Sequence, residues 1–156
     1  MTSIQSRSAS RGPGRGTETL DLAASLRLAV TRLARRLRQQ ADTGVTPSML
    51  SALATVERMG PLTLGELAAL EGVQRPSMTS IEARLEETGL VSRQVDAADR
   101  RVVRVSVSPQ GRQLLERSRS RKTAYLARRL QAMLPAERKA LADAVPILER
   151  LLEDEG

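Results

Sequence analysis

Residues 73–107, VQRPSMTSIEARLEETGLVSRQVDAADRRVVRVSV, constrain the fold more than any other stretch of the chain. Met78, Ile81 and Leu85 recur at helical spacing and make one apolar stripe. At about 100° per residue the opposite side carries Pro76, Ser80 and Ala83, flanked by Ser77, Thr79 and Arg84. Gly89 is placed as the C′ residue that ends the helix. Val103, Val105 and Val107 then alternate with Arg104 and Ser106, the pattern of a half-buried strand. Val91 and Val95 bracket a partner strand. The turn between them, Asp96-Ala97-Ala98-Asp99-Arg100-Arg101, is charged and has no core to serve.

Taken alone, the helix reads as an ordinary amphipathic helix with a solvated outer face. The hairpin shifts that balance. Helix, glycine, strand, basic tip and strand in this order describe a winged helix-turn-helix. Small side chains on the outer face let a helix sit deep in a groove. Hydroxyls bond phosphates or base edges, and arginine bonds guanine in two places. Arg75 lies in the first turn, where unpaired N–H groups and the helix dipole also favour phosphate. Asp99 is placed to hold one tip arginine by a charge-assisted bond.

At this point the chain resembles the MarR family of bacterial transcription regulators, from about Leu20 to Leu152. The most specific part is residues 84–115, with Leu85, Glu86, Gly89, Leu90 and Val91, then Asp99-Arg100-Arg101, then Ser108-Pro109-Gln110-Gly111. The resemblance implies that Arg101 is the wing-tip arginine entering the minor groove and that Asp99 orients it. It also implies groove and phosphate contacts from Arg75, Ser77, Thr79, Ser80 and Arg84, with Pro76 and Arg100 beside them. The family pattern often has threonine at position 77 and arginine at position 80. Both are serine here, so base preference does not carry over.

The rest of the chain is read as support for this unit. Phe and Trp are absent and Tyr125 is the only aromatic, so the core must be Leu, Val, Ala and Met. That composition suits helices, and the fold expected is mainly α with a small β-hairpin. No Cys or His is present, which removes thiolate metal sites, the cysteine redox switch and the commonest general base. There is no glycine-rich phosphate loop. An enzyme is therefore not expected, nor a metal or cofactor. No apolar run approaches a membrane span and the N-terminus has no apolar h-region, so a cytoplasmic protein is the expectation.

Net charge is +7, but residues 47–108 carry 7 basic and 8 acidic groups, for −1. The reading head is thus not basic as a block. Glu82, Glu86, Glu87 and Asp96 must face away from phosphate or pair locally. The placement of particular arginines matters more than the total.

Residues 1–16 are expected to be a disordered basic tail, with Arg7, Arg11 and Arg15 as phosphate contacts in the sharper reading. Residues 17–44 read as a first dimerisation helix capped by Thr17, and residues 45–108 as the winged helix-turn-helix. Thr46-Pro47 opens its first helix, and Thr63-Leu64-Gly65-Glu66 is a capping box. Residues 109–156 read as a long connecting helix followed by a C-terminal dimerisation helix. Glu116–Lys122 has no apolar stripe and reads as a spacer, with a DNA-facing basic surface as the alternative. Pro146 should kink the last helix.

The terminal helices carry more apolar face than a small head covers, so a homodimer is expected. A two-fold dimer implies a pseudo-palindromic double-stranded DNA operator with half-sites about 34–36 Å apart. Family likeness adds repression relieved by a small phenolic or lipophilic effector. Leu26, Val30, Met49, Leu53, Leu114 and Leu115 are candidate lining that reads equally as plain core. The competing reading is a winged-helix adaptor that binds protein and not specific DNA.

Overall fold

The computed structural model describes residues 15–41 and 43–153. Arg7 and Arg11 of the expected basic arm lie outside these residues. The elements are α1 (Arg15–Ala41), α2 (Pro47–Met59), β1 (Leu62–Thr63), α3 (Leu64–Leu70), α4 (Arg75–Glu87), β2 (Val91–Val95), β3 (Val103–Val107), α5 (Pro109–Gln131) and α6 (Pro135–Arg150). By contact they divide into two units, one ending at Leu37 and one beginning at Arg38.

Local chemistry sets most boundaries. The Thr46 hydroxyl accepts the Met49 N–H at 3.2 Å and proline follows it. The capping box at α3 is complete, with the Thr63 N–H donating to Glu66 at 2.7 Å and the Glu66 N–H donating to the Thr63 hydroxyl. Gly89 ends α4 at φ 71°, a conformation that a Cβ disfavours. Ser108 caps α5 through the Gly111 N–H at 3.0 Å and donates its own hydroxyl to the Gly89 carbonyl at 2.6 Å. A Cβ at Gly111 would collide with the Leu90 carbonyl. The Ser-Pro-Gln-Gly run therefore locks the start of α5 onto the end of α4.

The core is the one expected from composition. Met49, Ala52, Leu53 and Val56 of α2 meet Leu62, Leu67, Met78, Leu85, Leu90, Val91 and Val105, with Leu114 and Leu115 from α5. No aromatic ring takes part. Glu57 binds Arg119, and Thr55 donates to Glu71 at 2.6 Å.

The expected hairpin is present as β2 and β3, and a short third strand completes a sheet of order β1-β3-β2, because Leu62 and Thr63 pair antiparallel with Val105 and Arg104. Two local readings need correction. Thr17 lies inside α1 and does not cap it, since the helix begins at Arg15. The middle of α5 is polar, as its sequence requires, but it is not a free spacer. Ser118 is buried, Arg119 reaches Glu57, and Arg121 donates to the Ala41 carbonyl at 3.1 Å. Helix α6 continues through Pro146 to Arg150.

Candidate nucleic-acid interface

The candidate recognition surface is built on α4. Met78 and Leu85 are fully buried and Ile81 is half-buried, so the apolar stripe points inward as the spacing requires. Arg75, Pro76, Ser77, Thr79, Ser80, Ala83 and Arg84 are all exposed. All seven α4 residues singled out in the sequence are thus exposed to solvent.

Two details refine what that side offers. Thr79 donates its hydroxyl to the Arg75 carbonyl at 2.9 Å, so outward it presents lone pairs and a methyl group. Gln74, at the N-cap, makes no side-chain bond to the helix. Unlike α2, α3 and α5, α4 leaves its first N–H groups without a capping side chain, an arrangement that favours an anion. Arg75 packs its guanidinium over Gly65, where a Cβ would lie 2.6 Å from Nη2. The absence of a side chain at Gly65 gives Arg75 its place.

The wing is β2, β3 and the turn between them. Asp96 accepts the Ala98 and Asp99 N–H groups on Oδ1, and the Asp96 N–H bonds the Val102 carbonyl at 2.9 Å. Asp99 accepts the Arg101 N–H at 2.9 Å and its Oδ1 lies 3.8 Å from Arg101 Nε. The pairing inferred for these two residues is present as a backbone bond and a looser ion pair. The Arg101 side chain is 95% exposed, and Arg100 is exposed beside it.

The acidic residues that threatened a phosphate-facing surface are mostly occupied. Glu82 is buried on the inner side of α4, with Oε1 3.6 Å from Arg93 Nε on β2. Arg93 also reaches Glu86 at 3.8 Å. Desolvation pushes the Glu82 carboxyl above the ordinary range, against the pull of Arg93. Asp96 binds Arg104 Nε at 2.6 Å, and Arg104 Nη1 lies 3.5 Å from Glu66. The guanidinium of Arg104 and the two turn N–H groups hold Asp96 below the usual carboxylate range. Among the described residues Arg75, Arg84 and Arg100 have no carboxylate partner, whereas Arg93 and Arg104 are committed inward. Sequence reading missed this role for Arg93 and Arg104, whose partners lie on other elements.

A separate cleft of about 520 Å³ is lined by Arg38, Pro47, Ser48, Ser51, Glu71, Val73, Met78 and Ile81. It opens between the start of α2 and the inner side of α4. Of the effector lining considered from sequence, Met49, Leu53, Leu114 and Leu115 sit in the core, each at most 8% exposed. Leu26 and Val30 lie on α1, half-buried and exposed respectively. Among the described residues no group of acidic side chains is placed to hold a metal ion.

The MarR family model matches residues 45–103, from the start of α2 into the wing. An HTH-type transcriptional regulator of Mycobacterium leprae is 39% identical over 134 residues, 85% of this chain and 94% of the relative. The chain belongs to the MarR family. It is a DNA-binding transcriptional regulator and not an enzyme. A solved transcriptional regulator from Pseudomonas aeruginosa superposes with a TM-score of 0.80 at 36% identity, covering 92% of this chain and all of the other. MdtR of Bacillus subtilis, an HTH-type transcriptional repressor, is 32% identical over 94 residues, 60% of this chain and 61% of its own. A Staphylococcus aureus MepR variant, solved bound to an oligodeoxyribonucleotide, shares the fold at 17% identity with a TM-score of 0.66, over 85% of this chain and 98% of that one. The matched residues 45–103 include Arg75, Pro76, Ser77, Thr79, Ser80, Arg84, Asp99, Arg100 and Arg101, and end one residue before Arg104. No helix among the described residues is long and apolar enough to cross a membrane.

Proposed function

We propose that this MarR-family regulator is a homodimeric repressor that reads a pseudo-palindromic operator. In this reading α4 enters the major groove with Arg75, Pro76, Ser77, Thr79, Ser80 and Arg84. The wing reaches the minor groove with Arg101, oriented by Asp99 and accompanied by Arg100. The observation that carries the reading is the division of charge. Glu82 and Asp96 are covered and paired with Arg93 and Arg104, which also reach the exposed Glu86 and Glu66, while Arg75, Arg84, Arg100 and Arg101 point to solvent.

Dimerisation is supported by uncovered apolar surface. Helix α6 has no buried residue, with Leu141, Val145, Ile147, Leu148 and the C-cap Leu151 between 38% and 66% exposed. Leu20, Leu22, Leu28, Val30 and Leu33 on α1 are 44–72% exposed. Exposed apolar side chains in such number on two helices call for a partner. A second copy, using residues 17–44 and 109–156 of each chain, supplies one. Repression is supported by the description of MdtR as a repressor.

Release by a phenolic or lipophilic effector requires a ligand that prefers a dimer with wrongly spaced heads. The cleft beside α4 has the size of a small-molecule site, and an occupant would bear on the recognition helix through Met78 and Ile81.

Sedimentation of the full chain with footprinting on its own promoter DNA tests the proposal. A dimer protecting two half-sites about 34–36 Å apart is expected. A monomer, or a dimer that protects no DNA, would favour the protein-binding adaptor.

A further inference from the structure

The core holds the wing only at its base. Val91 and Val105 are buried, but Val95 at the far end of β2 is 60% exposed. A two-stranded ribbon beyond a core is marginally stable and free to twist. Its turn closes by itself, through the Asp96 N–H to the Val102 carbonyl and the Val102 N–H to the Asp99 carbonyl. Neither bond fixes where the closed turn points relative to the helices.

Arg104 stands where the hairpin leaves the core. On the central strand it faces Gln94 on one side and Thr63, the N-cap of α3, on the other. Its Nε donates to Asp96 Oδ2 at 2.6 Å, while Nη1 lies 3.5 Å from Glu66 Oε2. That Glu66 oxygen is the same atom that accepts the Thr63 N–H and hydroxyl in the capping box. The other oxygen of Asp96 gathers the Ala98 and Asp99 N–H groups. One guanidinium thus connects the cap of the first helix of the reading pair to the turn that carries Arg101. Both carboxylates are held ionised by these donors, so the link stays charged through the neutral range.

We propose that Arg104 is a positioning residue for DNA binding: it fixes the direction of the wing against α3, so that Arg101 reaches the minor groove while α4 sits in the major groove. The inference rests on the wing-in-groove reading above. Arg104 itself touches no DNA in this arrangement, because its fork faces Asp96 and Glu66.

The test is a double-variant cycle on the full chain with Arg101→Ala, Arg104→Met and both together, titrated against duplex DNA from its own promoter region. Arg101→Ala should weaken specific binding at least about tenfold. Arg104→Met should cause a large share of that loss, and the double variant should bind within about twofold of Arg101→Ala alone. Hydroxyl-radical protection in the minor groove should fade in Arg104→Met while guanine N7 protection in the major groove persists. A merely destabilised fold would lose both together. Asp96→Asn, which keeps the turn acceptor and loses the charge facing Arg104, should repeat the result if Arg104→Met fails to fold. Independent, additive losses, or wild-type affinity in Arg104→Met, would overturn the positioning role. Wild-type affinity in Arg101→Ala would instead overturn the wing reading on which it rests.

Discussion

The Arg93 guanidinium on β2 lies 3.6 Å from the Glu82 carboxylate on α4, a side chain only 5% exposed. The pair joins α4 to β2 from the inside, and it is unequal. Arg93 is half exposed and has Glu86 as a second partner, whereas Glu82 Oε1 makes no hydrogen bond. Replacing Glu82 by methionine removes a desolvated charge without stranding Arg93. Glu82→Met should therefore stabilise the fold at pH 7, by about 1 kcal/mol. The pH dependence has a fixed sign. A carboxyl whose pKa rises on folding weakens the fold as pH climbs through the interval above its unfolded value. The gain measured by urea unfolding should be larger at pH 7 than at pH 5. Arg93→Met should act in the opposite direction and destabilise, by about 2 kcal/mol, because it leaves the buried carboxylate without its cation.

Gly65 separates binding from stability. The three atoms nearest a methyl group there all belong to the Arg75 guanidinium, a side-chain end that moves aside. Gly65→Ala should leave thermal stability unchanged or raise it by up to about 1 kcal/mol, since alanine suits a helix better. It should nonetheless weaken DNA binding by displacing Arg75. Arg75→Ala should do so more strongly, uniformly across sequences and with the salt slope reduced by about one, as expected for a phosphate contact. Fluorescence anisotropy at two salt concentrations checks both.

Gly111 behaves differently, because its missing Cβ faces the Leu90 carbonyl and the Val107 side chain, with backbone on one side. Gly111→Ala should destabilise by about 2 kcal/mol through overpacking. Ser108→Ala should cost about 1 kcal/mol for the lost cap. Denaturant titration of each variant checks these values.

Legibility in the sequence followed the range of the interactions. The caps at Thr46, Thr63 and Ser108 and the stop at Gly89 were all readable, because each joins residues within a turn of one another. The exposed face of α4 was readable from Met78, Ile81 and Leu85 alone. Strand β1 was not, since two residues carry no period and Leu62–Thr63 is a strand only through pairing with β3. Burial of Ser118 was hidden for a similar reason: α5 packs on α2 there, and a polar run does not encode how close a neighbour comes. The acidic residues left a choice between facing away and pairing locally. The choice was made by Arg93 and Arg104 from another element. The start of α1 at Arg15 lies upstream of Thr17, the strongest cap-like residue nearby.

Competition binding tests the central claim most directly. The purified full chain would be titrated against duplex DNA from its own promoter region at two salt concentrations, with random duplex as competitor. Specific binding at least about a thousandfold tighter than random is expected, lost on Arg84→Ala and Arg101→Ala together. Binding that is equal for all sequences and vanishes as salt rises would contradict a sequence-reading regulator and leave only a basic surface.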